Sequence, residues 1–414
     1  GFENTIINIE NTKFINNSSV SISQDIWGDE YGYGDGGAVY FGASEGYGPI
    51  TATIKDTQFT GNTANKGGAI VTARDNSTSF VLSENKSILN AGNKALNDAR
   101  GGFLYASKNS TINFDIANAS TYTIGDGSVN CDSIASADNS STINKTGVGT
   151  LVVNGSMQYF TGTLNVNAGT MEANNGLGAK VITIANGATV GVQINGNNML
   201  SNSELAFTNN GTLILSSKAG LEAGDYTVSV ANITDYGTTK TYGGVLSGNT
   251  FTVANAKQIE AGAEAPTVVE NNGIVEITTN ENTSVSMAFN ADIATVNKVS
   301  EVTSDLLQTF GSDFVASGAF DFDVSLEAGD TVVLSFYVGD STLKLGDFSI
   351  YHKTEGSQWE SADDISNVSY DGEYLSFIVS HFSSYGYTAV PEPAEWAMIL
   401  GAIALSFVAY RRRK

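Results

Sequence analysis

Short runs of alternating apolar and polar residues, punctuated by glycine and asparagine, fill most of the chain. That alternation at period two predicts strands rather than helices. In the first hundred residues Ile6-Ile7-Asn8-Ile9 leads into Phe14-Ile15-Asn16-Asn17, and Thr51–Ile54 leads into Phe59-Thr60-Gly61-Asn62. A double glycine follows each: Gly36-Gly37-Ala38-Val39-Tyr40, then Gly67-Gly68-Ala69-Ile70-Val71. A third copy pairs Asn90-Ala91-Gly92-Asn93 with Gly101-Gly102-Phe103-Leu104-Tyr105, Asn90 standing where the others have phenylalanine. A spacing of roughly 30 residues predicts a stacked architecture.

A second block is more regular. Lys145-Thr146-Gly147-Val148-Gly149-Thr150-Leu151 runs on through Phe160-Thr161-Gly162-Thr163-Leu164 to Gly169-Thr170-Met171, then more loosely through Gly187-Ala188-Thr189-Val190 and Gly211-Thr212-Leu213. Gly248–Val253 and Gly273–Thr278 read as the last turns of the stack. At roughly 22 residues per coil, residues 1–280 predict about 12 coils and a rod near 60 Å long. Asparagine at the corners tolerates left-handed backbone and bonds to the next coil.

The pattern changes at residues 281–389. Ile293, Val296, Val299, Val302 and Leu306 recur at three- and four-residue spacing, which predicts a helix within Ala291–Phe310. Phe320, Phe322, Val324 and Leu326 then alternate with polar residues, and Asp371-Gly372 between two β-branched or aromatic runs predicts a hairpin. A compact β-sandwich-like module is expected, capping the open end of the stack.

The double-glycine copies resemble the FxxN and GGA[ILV] repeats of the polymorphic outer-membrane protein family, and the second block resembles the passenger-associated repeat of autotransporters. Both resemblances imply a right-handed parallel β-helix, a pectin-lyase-like solenoid of all-β class, in residues 1–280. An autotransporter proper is not expected, because no terminal run of barrel strands follows.

The chain ends differently. After Val390-Pro391-Glu392-Pro393 comes Trp396–Tyr410, fifteen residues without a charge, and then Arg411-Arg412-Arg413-Lys414. As a helix this run spans about 22 Å, which aromatic ends and snorkelling arginines extend toward a membrane span. A buried terminal helix is the alternative, and four consecutive cations fit it poorly. Residues 390–414 resemble the PEP-CTERM sorting signal of Gram-negative bacteria. The match implies Pro391, Glu392 and Pro393 as the processing motif, residues 396–410 as an inner-membrane helix, and Arg411, Arg412 and Arg413 within the basic stop. It also implies an exosortase-type transpeptidase as partner, with the remainder displayed at the cell surface or released. Gly1-Phe2 opens the chain without methionine or signal peptide, as expected of a fragment or processed chain.

Composition narrows the function. Forty-three acids against 20 bases give a net charge of −23, which argues against nucleic acid as a partner. The single cysteine, Cys131, allows no internal disulfide and reads as a small buried hydrophobe. Within the insertion 25–35, Trp27, Tyr31 and Tyr33 beside four acids form a candidate glycan-contact loop, or else aromatics folded back on the coils. Gly32-Tyr33-Gly34-Asp35-Gly36-Gly37 has a weak similarity to calcium-binding nonapeptide repeats, without a second copy to complete a site. No catalytic, cofactor or metal residue is expected: residues 1–280 hold no Asp-Asp pair, and both histidines, His352 and His381, lie with Asp363-Asp364 in the later module. The expectation is an exported structural or adhesin-like surface protein that meets extracellular polysaccharide. The alternative is a β-helix polysaccharide lyase or glycoside hydrolase.

Overall fold

The computed structural model describes residues 4–390, apart from 20–21, 25–29, 33, 43–48, 97, 128–129, 201–202, 208–209, 234–236, 265, 280–281 and 344. Among the described residues the protein is almost wholly β, with one α-helix, Thr303–Phe310. Three large parallel sheets come first, with two short parallel pairs beside them, Lys13–Ile15 with Gln58–Thr60 and Ser18–Ser19 with Thr63–Ala64. The longest has nine strands, beginning Thr5–Glu10, Ile50–Lys55, Ser77–Leu82, Thr111–Ile116 and Thr142–Thr146 and ending at Val230–Ile233. A second has seven, from Ser87–Asn90 through Thr121–Ile124, Thr150–Val153 and Thr170–Ala173 to Thr238–Tyr242. The third has four, from Val39–Phe41 to Ile134–Ser136. The chain visits the sheets in turn, and each circuit adds a parallel strand, an arrangement compatible with a β-helix. At about 4.8 Å per strand, nine strands span about 38 Å. That is shorter than a dozen even coils would give, because the early circuits are long: Thr5 pairs with Ile50, but Thr163 with Val181.

Period-two burial explains the strands. In Ser77–Leu82 every second residue is buried, and Phe80 stacks on Phe114 of the next circuit at 4.8 Å between ring centroids. Phe14 stacks likewise on Phe59, at 5.1 Å. The double glycines also stack, the Gly37 amide donating to the Gly67 carbonyl and Gly68 to Gly101. A β-carbon on Gly68 would lie 2.2 Å from the Gly102 carbonyl oxygen, so no larger residue fits. Asparagines run through the stack as a ladder. Asn17 Nδ2 donates to Asn62, Asn62 to Asn93, and Asn93 to Asp132, at 2.8, 2.8 and 2.7 Å. Asn90, at the phenylalanine position of the third repeat, is fully buried; its side chain accepts from the Phe59 amide and donates to the Thr123 carbonyl.

Lys145 is the unexpected member of the core. Its register partners are Phe114 and Val166, and it has no exposed surface. Nζ donates to the carbonyls of Thr146, Gly147 and Ala168 at 2.8, 2.8 and 3.1 Å. Burial pushes its pKa down to about 8, so the ammonium is still protonated at neutral pH and holds the Lys-Thr-Gly corner to the next circuit.

The second module starts before residue 281. Strands Ala256–Glu260 and Ile274–Thr279 open a six-stranded sheet, and Thr267–Glu270 opens another. The two sheets enclose one apolar core, where Phe336 packs against Phe320, Phe322 and Phe377. The last turns assigned to the stack therefore belong elsewhere. Thr250–Val253 pairs antiparallel with Gly224–Thr227 and Gly244–Ser247, while Ile274–Thr279 joins the second module. Alternation alone does not distinguish a parallel circuit from an antiparallel hairpin. The expected helix is also shorter. Ile293–Glu301 is a strand with a bulge between Val296 and Lys298, and the extra residue produces the helix-like spacing of Val296 and Val299. The Asp371-Gly372 hairpin forms as expected, between Ser366–Tyr370 and Tyr374–Val379.

Lys145→Ala leaves three carbonyls without their donor. At about 1–3 kcal/mol for each buried group left unpaired, the variant should lose at least about 3 kcal/mol in denaturant unfolding. Exposed Lys180→Ala should stay within about 0.5 kcal/mol of the parent.

Candidate functional site

The second module folds back over the outer face of the seven-stranded sheet. In each strand of that sheet a threonine leads: Thr121, Thr150, Thr170, Thr189, Thr212 and Thr238 are consecutive register partners, with Ser87 before them. Two residues along, on the same face, run Leu89, Thr123, Val152, Glu172, Gly191 and Ile214. The strand Ser366–Tyr370 lies over this second row, Asn367 Nδ2 being 3.8 Å from where a β-carbon on Gly191 would sit. Lys218 anchors the hairpin tip through Asp371 at 3.1 Å, and Tyr242 Oη shares a hydrogen bond with Thr331 Oγ1 at 2.7 Å.

Between the threonine face and this covering module lies an open cleft of about 950 Å³. Ser87, Thr121, Thr150 and Thr170 line its floor, and Phe348 and Val368 its opposite wall. Two carboxyl groups line it. Asp56 accepts from Lys86 Nζ at 2.6 Å and from the amide and hydroxyl of Ser83, both at 2.8 Å. Against the cost of burial, these donors hold its pKa below the usual carboxylate range. Glu172 is the opposite case. It is 3% exposed, its Oε1 has no hydrogen-bond partner, and burial pushes its pKa up to about 8. At neutral pH it is mostly a neutral acid, able to donate as well as accept.

A second cluster lies in the later module. Both histidines of the chain meet one carboxylate: His352 Nδ1 lies 2.8 Å from Asp364 Oδ1, and His381 Nε2 lies 2.7 Å from Asp364 Oδ2. His352 Nε2 reaches Glu360 at 3.0 Å, and Tyr385 Oη donates to Asp364 at 3.3 Å. Burial lowers the His352 pKa, but the hydrogen bonds and charges of Glu360 and Asp364 outweigh it and the net shift is upward. With both ring nitrogens on carboxylates, His352 has none left to activate a nucleophile. The arrangement is a clasp joining Phe348–Lys353, Glu360–Ser361 and the turn before Ser384–Ala389.

The residues singled out from sequence fare differently. Pro391, Glu392, Pro393, the segment 396–410, Arg411, Arg412 and Arg413 lie outside the described residues, as do Trp27 and Tyr33. Tyr31 falls in the strand Glu30–Gly32, whose backbone pairs antiparallel with Ile22–Gln24. Among the described residues no helix is long and apolar enough to cross a membrane, and no group of three or more acidic, histidine or cysteine side chains could hold a metal ion. Cys131 is buried, and burial pushes its thiol pKa up to about 11. Glu172 was not singled out. Aligning the repeats on their threonines would have exposed it, since that puts a carboxyl between Val152 on one side and Gly191 and Ile214 on the other. No protein-family model, curated protein or solved structure matches this chain.

Two pH dependences follow. The Glu172 pKa is raised on folding, from 4.5 to about 8, so the native state keeps a proton that the unfolded chain loses, and stability falls as pH rises across that window. Glu172→Gln should match the parent near pH 4 and exceed it in thermal unfolding at pH 8. The raised His352 pKa acts over a different range. The stability it lends is full below about 6.5, its ordinary value, and is lost as pH rises through the folded value. The melting-temperature deficit of His352→Gln should therefore be larger at pH 5.5 than at pH 8.5, and an equal deficit would contradict the clasp.

Proposed function

We propose that this chain is an exported cell-surface or extracellular-matrix protein of structural, adhesin-like kind. Its scaffold is a right-handed parallel β-helix followed by a β-sandwich-like module. The observation that carries the reading is the continuous parallel pairing of the nine- and seven-stranded sheets, which shifts register between Ser203 and Glu204 near the end of the longer one. Such a stack is a rigid spacer whose length grows with every circuit and whose insertions emerge as surface loops. A net charge of −23 suits a surface that repels its own copies.

Delivery is assigned to residues 390–414. Pro391-Glu392-Pro393, the apolar run 396–410 and the arginines 411–413 act as a sorting signal for an exosortase-type transpeptidase. The chain is held in the inner membrane before processing and displayed or released afterwards. A polysaccharide-cleaving reading has less support, because glycoside hydrolysis ordinarily needs two cooperating carboxyl groups. Of the two in the cleft, Asp56 is committed to Lys86 and Ser83.

Mass spectrometry of the mature protein from its own cells should find a C-terminus near Pro391–Pro393, and deletion of residues 390–414 should abolish surface display. A mature chain ending at Lys414, or display that survives the deletion, would sink the sorting assignment.

A further inference from the structure

We propose that the cleft over the threonine face binds an uncharged, hydroxyl-rich chain, a segment of neutral polysaccharide laid across successive circuits. This deepens the surface reading and rests on it only for where such a glycan would be met. The floor is the first argument. Ser87, Thr121, Thr150 and Thr170 present one hydroxyl per circuit in register, at steps of about 4.8 Å. Each hydroxyl both donates and accepts, as sugar hydroxyls do, and a regular row of them suits a ligand with its own short repeat.

Glu172 is the second argument, and it is independent of the first. A buried polar atom without a partner is uncommon in a native protein and calls for an explanation. Here the atom belongs to a carboxyl that lines the cleft. A neutral acid placed there offers a donor and an acceptor to a hydroxyl group while leaving no bare charge to desolvate.

The walls and the charge decide the class of ligand. Leu89, Val152 and Val368 supply apolar surface for the C–H faces of sugar rings. The volume of about 950 Å³ stands at the upper end of the range for small-ligand sites, and the cleft is open, so an extended chain has a way in and out. A polyanion would require unspent cations. Lys86 is committed to Asp56 at 2.6 Å, leaving Lys13 as the other ammonium at the cleft among the described residues.

The test is isothermal titration calorimetry on the purified full chain with cellohexaose, maltohexaose and mannohexaose, and with hexagalacturonate as the charged counterpart. At least one neutral hexamer should bind. Thr150→Val, a half-exposed position, should weaken it about fivefold, the worth of one hydrogen bond, with an unchanged melting temperature. Glu172→Leu should weaken it at least as much, and Lys180→Ala, exposed and outside the cleft, should leave it unchanged. The proposal is overturned if no neutral hexamer binds at about 5 mM, if Thr150→Val binds as the parent does, or if hexagalacturonate binds more tightly than every neutral probe. A trimmed mature chain that fails to bind would count against the cleft alone. An untrimmed chain that binds would count against the sorting assignment alone.

Discussion

In a parallel, in-register stack every inward side chain rests on the equivalent side chain one circuit away, and this constraint governs the rest of the molecule. It rewards likeness: phenylalanine on phenylalanine at Phe14–Phe59 and Phe80–Phe114, asparagine on asparagine through Asn17, Asn62 and Asn93. It also limits what may replace them. Where Asn90 stands in for phenylalanine, its amide takes up backbone groups of both neighbouring circuits. Where Lys145 lies between Phe114 and Val166, its ammonium is answered by three carbonyls. Asn90 and Lys145 are held in this core by bonds that reach the neighbouring circuits.

The same constraint explains what the sequence made legible. The spacing of the Gly-Thr repeats marks the steps of the seven-stranded sheet, because Thr150, Thr170, Thr189 and Thr212 are true register partners. The FxxN and double-glycine motifs mark the early circuits for the same reason. Legibility ended where the chain left the three stacked sheets: Thr250–Val253 pairs antiparallel on both sides, and Ile274–Thr279 pairs parallel with Ala256–Glu260 but antiparallel with Asn282–Asn290. Gly248–Val253 and Gly273–Thr278 keep the alternation of a circuit, yet pair in hairpins and across to the second module, and alternation carries no record of the partner's direction. In Ile293–Glu301 a single bulge imitated a helical period. Of the site, the threonine row was visible as a repeat, but its role as a cleft floor was not. That depends on residues some 200 positions later, such as Val368, folding back over it.

Stacking also creates an edge that must be closed. The last strand of the seven-stranded sheet, Thr238–Tyr242, leads into Gly243, whose amide donates to the Phe289 carbonyl, while Asn272 and Asn290 of the second module bond to Thr241. The second module thus satisfies backbone and hydroxyl groups where the parallel sheet ends, the role expected of a cap. It does more than cap, because its first sheet also contributes Ile274, Ala288 and Ile378 to the core of the stack.

Three buried ionisable groups separate structural need from residual capacity. Lys145 has three acceptors. Asp132, pushed up to about 7 by burial, accepts from Asn93 twice and from Gly92 once, and so closes the asparagine ladder. Each has its place in the stacking logic. Glu172 has none: its register neighbours on that face are Val152 and Gly191, which offer no hydrogen-bonding side chain, and one of its oxygens is left without a partner. A valine there would continue the row at no electrostatic cost. The buried carboxyl makes no hydrogen bond through Oε1 and adds nothing to the stack, which is the pattern expected if the residue serves what enters the cleft rather than what surrounds it.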